Sequence, residues 1–339
     1  MRFGVWTPMP HTIRPEPEMD RAIAELGTAG NEIATDRSFE FAIDVVRRGE
    51  DLGFDITLVA ERFHGPDLES LMLAAAMAPR TRNIELLAAV HPGIITPQVV
   101  AKMGASLDRI SGGRFAVNIV NGWWKEEFDL YANGGWLGDQ DARYRRMDEY
   151  IQVLRGLWTE DPFTLHGDFY RVDGAGLPIK PTRRPHPPIY AASRSPVGRE
   201  TVARYCDVWF MAYEPAYALW AENMRTMARD AQEMSARAAG YGRRLEFGIS
   251  AHVICADTLA EAEAKAAELE AHGRRDPVSM VAAKALGPGL VGTAAVIAER
   301  MEQYAALGVS CFMLHFHPMK DGMERFAAEV MPHLRRQAA

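Results

Sequence analysis

The sequence predicts an α/β protein, a (β/α)8 TIM barrel formed by residues 1–339 as a single domain. Eight short apolar runs, rich in β-branched and aromatic residues, recur at a spacing that leaves room for a helix between them. They are apolar on both faces, as parallel strands covered by helices must be. Strict alternation of eight strands and helices favours a barrel over an open sheet. No GxGxxG motif follows the first run, which argues against a dinucleotide-binding sheet.

The predicted strands cover residues 3–6, 56–59, 84–90, 115–120, 189–191, 208–211, 247–254 and 311–314. The pattern between them predicts helices over residues 38–52, 67–77, 97–107, 141–158, 196–205, 215–239, 259–271 and 293–307, with a terminal helix over 321–335. Gly53 and Gly308 follow two of these helices at the position where glycine commonly ends a helix.

Three longer segments, residues 8–37, 163–188 and 273–292, interrupt the alternation. Segments of this length in a compact domain are usually functional. We therefore predict that the barrel carries insertion segments at its carboxyl-terminal face.

Composition limits the possible functions. The chain is 48% hydrophobic with a net charge of −7, and its lysines and arginines are scattered, so neither a nucleic-acid surface nor a membrane-binding patch is expected. The sequence has no run of about 18 apolar residues and no leader-like start. The three cysteines are far apart, as is common in a reducing compartment. We expect a cytoplasmic protein.

In a (β/α)8 barrel the active site lies at the carboxyl ends of the strands. Here those ends carry histidines, arginines, amides and aromatic groups but few acids: Glu61, Arg62, His64, His91, Asn118, Tyr213, His252, His315 and His317. The scarcity of acids argues against a two-carboxylate hydrolase. Several histidines could converge on a metal, but the carboxylate ligands are missing, and we predict no metal site.

The segment SRSP, residues 193–196, follows the fifth strand and opens a helix. Its backbone N–H groups, two hydroxyls and the helix N-terminus predict an anion site suited to a phosphate. Ser195 before Pro196 could equally serve as a helix N-cap. Arg143 and Tyr144, near the start of the preceding long helix, could add a cation and a phenol, although such an arginine could also be surface charge.

Asn118 places an amide inside the fourth apolar run. A buried amide without partners costs about 1–3 kcal/mol, so it needs either a backbone or a ligand partner. Trp123 and Trp124 follow the end of this run and offer flat apolar area, for a bound ring or for core packing.

At these residues the sequence resembles the bacterial-luciferase-like superfamily of flavin-dependent monooxygenases, and within it the two-component dimethylsulfone, alkanesulfonate and pyrimidine monooxygenases. The resemblance is carried by AKMGASLDRISGGRFAVNIVNGWWKEEF, from Ala101, and DARYRRMDEYIQVLRGLWTEDPFTLHGDFYRV, from Asp141. It extends over most of the chain. It implies an enzyme that uses O2 and reduced FMN, supplied by a separate NAD(P)H-dependent flavin reductase, and that forms a homo-oligomer, a dimer or a tetramer.

The resemblance also implies seven flavin-binding residues: Ala60 and Glu61 along the flavin, Asn118 at the ring edge, Glu127, and Arg143, Tyr144 and Ser195 with the phosphate. The phosphate loop departs from the usual Gly-Gly-Ser-Ser or Gly-Gln-Ser of the family, and Arg194 adds a charge there. The seventh strand keeps only His252 where the alkanesulfonate enzymes have an arginine and a histidine.

The leading hypothesis is a monooxygenase that cleaves the C–S bond of a sulfonate, including a sugar sulfonate such as sulfoquinovose, or of a sulfone, with release of sulfite or sulfinate. The polar mouth favours an anionic or hydroxylated substrate. Arg62 is predicted to clamp a sulfonate through its guanidinium fork. His252 is predicted to handle a proton or contact the anion. The alternatives are ring-opening oxygenation of a pyrimidine-like heterocycle, hydride transfer with a deazaflavin, and flavin binding without catalysis.

Overall fold

The computed structural model describes residues 1–10, 37–65, 67–122, 124–132, 135–275 and 283–335. Eight parallel strands close into a barrel: β1 (Arg2–Trp6), β2 (Ile56–Val59), β3 (Glu85–Val90), β4 (Phe115–Ile119), β7 (Ile189–Ala192), β8 (Val208–Phe210), β9 (Glu246–His252) and β12 (Val309–His315). Their order around the barrel is β1-β12-β9-β8-β7-β4-β3-β2. The predicted barrel and all eight of its predicted strands are confirmed.

Helices surround the barrel: α1 (Arg37–Leu52), α2 (Ser70–Met77), α3 (Pro97–Ile110), α4 (Lys125–Tyr131), α5 (Gln140–Thr159), α6 (Pro196–Tyr205), α7 (Trp220–Gly240), α8 (Leu259–Gly273), α9 (Ala294–Ala306), α10 (Met319–Arg325) and α11 (Met331–Arg335). Gly53 and Gly308 have φ of 89° and 95°, the left-handed backbone predicted after α1 and α9. The helix α2 begins later than predicted because the Glu69 carboxylate accepts a hydrogen bond from the Met72 N–H and caps it. The short helix α4 was not predicted. Among the described helices, none combines the length and the hydropathy that a membrane span requires.

The three interrupting segments differ in where they lie. Residues 11–36 of the first fall outside the described residues. The second contains a hairpin of β5 (Phe163–His166) and β6 (Arg171–Ala175) and leads from α5 to the amino end of β7. It therefore does not lie wholly at the carboxyl face. The third contributes β11 (Val291–Gly292), which pairs with β10 (Ile254–Cys255) beside the end of β9.

Alternate strand positions fill the barrel interior, where the large side chains are Trp6, Ile56, Leu58, Leu87, Tyr190, Val208, Phe210 and Met313. The residues between them point outward to the helices, as the two-residue period of a strand requires. At the amino end, the Tyr190 hydroxyl donates to Glu85 Oε1 at 2.6 Å, and Arg183 donates to Glu85 Oε2 at 2.8 Å. Arg2 donates to the Tyr190 hydroxyl at 2.9 Å. This network closes the amino end of the barrel.

Candidate active site

The inner face changes character at the carboxyl end of the barrel. Two residues beyond the interior side chains Leu58, Leu87, Ala116 and Tyr190, the ends of β2, β3, β4 and β7 present Ala60, Ala89, Asn118 and Ala192. The strands β1, β9 and β12 present Trp6, Ser250, His252 and His315. One half of the mouth is therefore lined by small side chains around a single amide, and the other half by an indole, a hydroxyl and two imidazoles.

Asn118 lies in β4 between Ala89 of β3 and Tyr190 of β7, its register partners. It is 8% exposed. Within the described part of the chain, its side chain makes no hydrogen bond, whereas buried polar groups are normally paired. The amide is thus available to a bound group, as a flavin edge would require.

His91 joins the ends of three strands. Its Nδ1 is 3.0 Å from the carbonyl oxygen of Val120, and its Nε2 is 3.3 Å from that of Glu61. The Glu61 carboxylate accepts a hydrogen bond from the Ser70 N–H at 2.9 Å, at the start of α2. Burial raises the pKa of Glu61 to about 7. This carboxyl can therefore hold or release a proton near neutral pH.

His91 and the ends of β2, β3 and β4 form one wall of the mouth. Arg62 and Glu127 lie together on the outer side of this wall. The Arg62 guanidinium stacks on the ring of Trp124. Burial lowers the pKa of Arg62, opposed by the nearby carboxylates of Glu127, Asp67 and Glu126. Glu127 is buried and accepts a hydrogen bond from the His64 N–H at 3.0 Å. The charge of Arg62 is thus compensated by acidic neighbours, which weakens its suitability as a sulfonate clamp. Trp123 falls outside the described residues.

The predicted anion loop is built around the N-terminus of α6. The Gly198 N–H donates to Ser195 Oγ at 3.0 Å, so Ser195 is the N-cap of this helix. A Cβ added at Gly198 would lie 2.1 Å from Ser193 Oγ and 2.4 Å from the ring of Tyr144. Tyr144 therefore packs directly on the loop, although it is 51 positions before Ser195 in the sequence. The hydroxyls of Ser193 and Ser195 meet the N-terminus of α6 here, in a cradle whose dipole suits a phosphate.

Both arginines near this loop are engaged elsewhere. Arg143 donates to the carbonyl oxygen of Leu137 at 2.6 Å, and its guanidinium lies 4.2 Å from the centre of the Trp136 ring. Arg194 pairs with Glu214 at 3.0 Å. The cradle is therefore formed by hydroxyls and backbone groups, and a phosphate role for Arg143 stays a prediction.

His252 and His315 form the polar side of the mouth. His252 is 1% exposed, and neither of its ring nitrogens has a hydrogen-bond partner among the described residues. His315 stacks on Trp6 with ring centres 4.1 Å apart, and the Trp6 indole N–H donates to Ser250 Oγ at 3.2 Å. Burial lowers the pKa of His252 to about 3, and that of His315 well below its usual value. Both rings are therefore neutral at physiological pH.

A cavity of about 280 Å³ opens beside His252. It is lined by His252, Ile254, Lys265, Glu268, Leu269, His272, His317 and Pro318. Lys265 donates to Glu261 at 2.7 Å, so the one lysine in this lining has an acidic partner. No three His, Cys, Asp or Glu side chains in the described ranges are grouped so that they could hold a metal ion.

Sequence reasoning missed Trp6 and Ser250 as residues of this site. The signal for Trp6 and Ser250 was the two-residue period of their strands, which puts them on the inner face next to His315. Ser193 was seen only as part of the anion loop, because its burial against Gly198 depends on tertiary packing.

Comparison with known proteins decides the family. A family model described as luciferase-like monooxygenase matches residues 1–311. The chain belongs to the luciferase-like monooxygenase family. An FMNH2-dependent dimethylsulfone monooxygenase of Pseudomonas putida is 31% identical over 332 residues, which cover 90% of this chain and 86% of that protein.

Solved structures agree on the fold. The EDTA monooxygenase EmoA of Chelativorans sp. BNC1 superposes with a TM-score of 0.78 at 19% identity, over 99% of this chain and 94% of that one. An F420-dependent secondary alcohol dehydrogenase superposes with a TM-score of 0.72 at 19% identity, over 98% of this chain and 99% of that one. The luciferase-like barrel thus occurs both in a monooxygenase and in an F420-dependent enzyme.

Proposed function

We propose that the protein is an FMNH2-dependent monooxygenase that uses O2 to cleave a C–S bond of a small organosulfur compound, and that a neutral sulfone suits its mouth better than a sulfonate. The similarity to the dimethylsulfone monooxygenase supports the reaction class. The observation that carries the choice of sulfone is the pair of buried, uncharged imidazoles, His252 and His315.

The flavin would occupy the half of the mouth lined by small side chains. Ala60, Ala89 and Ala192 leave room for a planar ring, and the Asn118 amide, which is not hydrogen-bonded to another described residue, can bond to the edge of that ring. Tyr144 and Ser195 would hold the phosphate, together with the Val197 N–H, because Pro196 has no N–H group and the Gly198 and Arg199 N–H groups donate to Ser195. The predicted flavin contacts of Glu127 and Arg143 have less support, because Glu127 accepts from the His64 N–H and Arg143 donates to the Leu137 carbonyl oxygen.

When bound, reduced FMN supplies the two electrons that convert one oxygen atom of O2 to water while the other enters the substrate. The flavin would come from a separate NAD(P)H-dependent reductase, and we propose a dimer or a tetramer as the working form, as the resemblance implies. The residues of the chain bind and orient the reactants. Glu61, with its pKa of about 7, is positioned by the Ser70 N–H to exchange a proton beside the His91 wall.

The substrate would occupy the half of the mouth that holds His252 and His315. A neutral imidazole offers one N–H donor and one acceptor, which suits a sulfone oxygen. A sulfonate would bring a full negative charge to the cavity beside His252, where the one cation of the described lining is paired with an acid, and burying that charge costs several kcal/mol. Arg62 has acidic neighbours, and Lys265 is paired with Glu261. Charge compensation therefore favours the neutral substrate.

The test supplies photoreduced FMN and O2 to the purified chain with dimethyl sulfone or with methanesulfonate. For the sulfone, one O2 and one FMNH2 should give one methanesulfinate, one formaldehyde, one water and oxidised FMN. Sulfite from methanesulfonate without sulfinate from the sulfone would contradict the sulfone assignment but would agree with the proposed monooxygenase reaction.

Two further arms address other reactions that the superfamily catalyses. Uracil tests ring-opening oxygenation of a pyrimidine. A secondary alcohol with oxidised F420, under exclusion of oxygen, tests hydride transfer to a deazaflavin. This arm is included because an F420-dependent dehydrogenase has the same fold. Turnover only in the F420 arm would contradict the proposed function altogether.

A further inference from the structure

A second set of unpaired polar groups lies behind the mouth, apart from the flavin and substrate halves. Arg146 of α5 is 5% exposed, and its Nε and Nη2 have no hydrogen-bond partner among the residues described. The hydroxyls of Tyr150, on the same helix, and of Tyr170, in the β5–β6 hairpin, are buried and likewise make no well-formed hydrogen bond to a described residue, although the Gly93 backbone approaches that of Tyr170. Native structures rarely leave four such atoms together.

These atoms form one group. Arg146 and Tyr150 are four residues apart on α5 and so share a helix face. The rings of Tyr150 and Tyr170 have centres 5.7 Å apart in an edge-to-face arrangement. Tyr170 is close enough to Arg146 for each to influence the pKa of the other. The group therefore brings guanidinium N–H groups and two phenolic O–H groups to one place.

No described carboxylate neutralises this arginine. Glu149, three residues along, is turned to the hairpin and accepts hydrogen bonds from the N–H groups of Asp168, Phe169 and Tyr170. Asp148 accepts from Thr201 at 2.9 Å and from Gln152 at 2.5 Å. Burial lowers the pKa of Arg146, and the nearby Arg143 lowers it further. A buried cation beside a second cation calls for an anion.

We propose that Arg146, Tyr150 and Tyr170 bind one small monovalent anion, of the class of chloride, bromide or formate. Guanidinium and phenol groups supply only N–H and O–H donors to such an ion, and these are the contacts an anion needs. Arg143 is held by the Leu137 carbonyl oxygen and the Trp136 ring, so the Arg146 guanidinium alone faces the ion and balances a single negative charge. A divalent oxyanion would leave a buried negative charge uncompensated, so sulfate should not bind.

The anion would connect three parts of the fold. Its ligands come from α5 and from the β5–β6 hairpin, and the Arg146 guanidinium lies against Gly93, where an added Cβ would approach it to 2.5 Å. Gly93 follows β3 two residues after His91, which links the ends of β2 and β4. An ion at this place would therefore hold the hairpin against the wall of the mouth.

Bromide is the probe for the test, because it replaces chloride and can be located by anomalous diffraction. Crystals of the full chain grown without halide and soaked in sodium bromide should show an anomalous peak within hydrogen-bonding distance of Arg146 and the Tyr150 hydroxyl. Bromide peaks at the surface but none at this place would mean that water fills the site, and would overturn the proposal.

Thermal unfolding gives an independent readout, at constant ionic strength with gluconate exchanged for bromide. The melting temperature of the wild type should rise with bromide and saturate, as expected for a ligand that binds the folded state. Sulfate should give only the gradual rise that its exclusion from protein surfaces causes, without saturation. Tyr150→Phe, which keeps the charge, should shift the midpoint about tenfold to higher bromide, since one hydrogen bond to an ion is lost.

Arg146→Met should abolish the bromide effect. Arg145→Met is the matched control, because Arg145 is exposed, pairs with Asp139 at 3.5 Å and should leave the bromide effect as in the wild type. An unchanged bromide response in both Arg146→Met and Tyr150→Phe would overturn the site. If Arg146→Met does not fold, Tyr150→Phe and the diffraction experiment still decide.

Discussion

The imidazole rings of His252 and His315 lie parallel across two neighbouring strands, with ring centres 6.2 Å apart and 6° between their planes. The two residues are register partners at the ends of β9 and β12. His315 rests on Trp6 on its other side. The rings of Trp6, His315 and His252 thus lie side by side and form a polar but uncharged surface above the apolar interior of the barrel.

His252→Phe keeps a ring of similar size and removes both nitrogens. If these nitrogens bind the substrate, kcat/KM for dimethyl sulfone should fall about 10- to 100-fold, the loss expected from one or two hydrogen bonds. The matched control is His166→Phe, because His166 lies in the β5–β6 hairpin, is about half exposed and pairs with Asp173. Equal rates for both variants and the wild type would remove His252 from the site.

Asn118→Leu tests the ring-edge contact with an apolar side chain of nearly equal size. The dissociation constant for FMN, measured by fluorescence titration, should rise about tenfold, since about 1–1.5 kcal/mol of hydrogen bonding is lost. The barrel should remain folded, because the amide has no described partner to lose. Unchanged flavin affinity together with unchanged turnover would make Asn118 a structural amide.

Gly198→Ala tests the phosphate cradle by adding a methyl group that the cradle has no space for. The new methyl group would collide with Ser193 Oγ and the Tyr144 ring and displace both from the loop. FMN affinity should fall about tenfold or more, because phosphate hydrogen bonds are charge-assisted. Affinity for riboflavin, which lacks the phosphate, should hardly change. Gly240→Ala is the control, because a Cβ there meets nothing within 4 Å. A parallel loss of FMN and riboflavin affinity would place the phosphate elsewhere.

Glu61→Gln tests the raised pKa through the pH dependence of stability. In the folded protein Glu61 keeps its proton up to a pKa of about 7, whereas the unfolded chain releases it near 4.5. Between these values the folded state binds more protons, so this group lowers the free energy of unfolding as pH rises, by up to about 3 kcal/mol. Above pH 7 the effect is constant.

Glutamine has no proton to release, so the variant should gain stability relative to the wild type as pH rises from 5 to 8. Urea unfolding of both proteins at several pH values measures the difference. A difference that does not vary with pH would mean that Glu61 has an ordinary pKa. Since Gln keeps an oxygen that can accept the Ser70 N–H, the helix α2 should be retained in both proteins.

The strands were predictable because each is buried on both faces over most of its length and is therefore mostly apolar, a signal that needs no tertiary information. The hairpin after α5 was not, since β6 contains Asp173 and Gly174 and has little apolar pattern. The state of Arg62 could not be foreseen either, because its neighbour Glu127 is 65 positions away in the sequence.

Arg146 gives the opposite case, in which sequence spacing misleads. An arginine three residues before Glu149 has one of the spacings at which charged side chains pair on a helix. Here the carboxylate is used by the hairpin turn, and the arginine is left buried beside two phenols. Tertiary contacts decide whether Glu149 pairs with the arginine or with the hairpin, and spacing along the sequence does not reveal those contacts.

The network of Glu85, Tyr190, Arg183 and Arg2 has a consequence for how this protein could change over evolutionary time. These residues secure the barrel at the end opposite to Asn118, His252 and His315. Replacements at the mouth leave those bonds intact, so the reaction can be altered residue by residue while folding is retained. Ancestors and descendants of this chain could therefore differ in substrate through a few point mutations and still share this network.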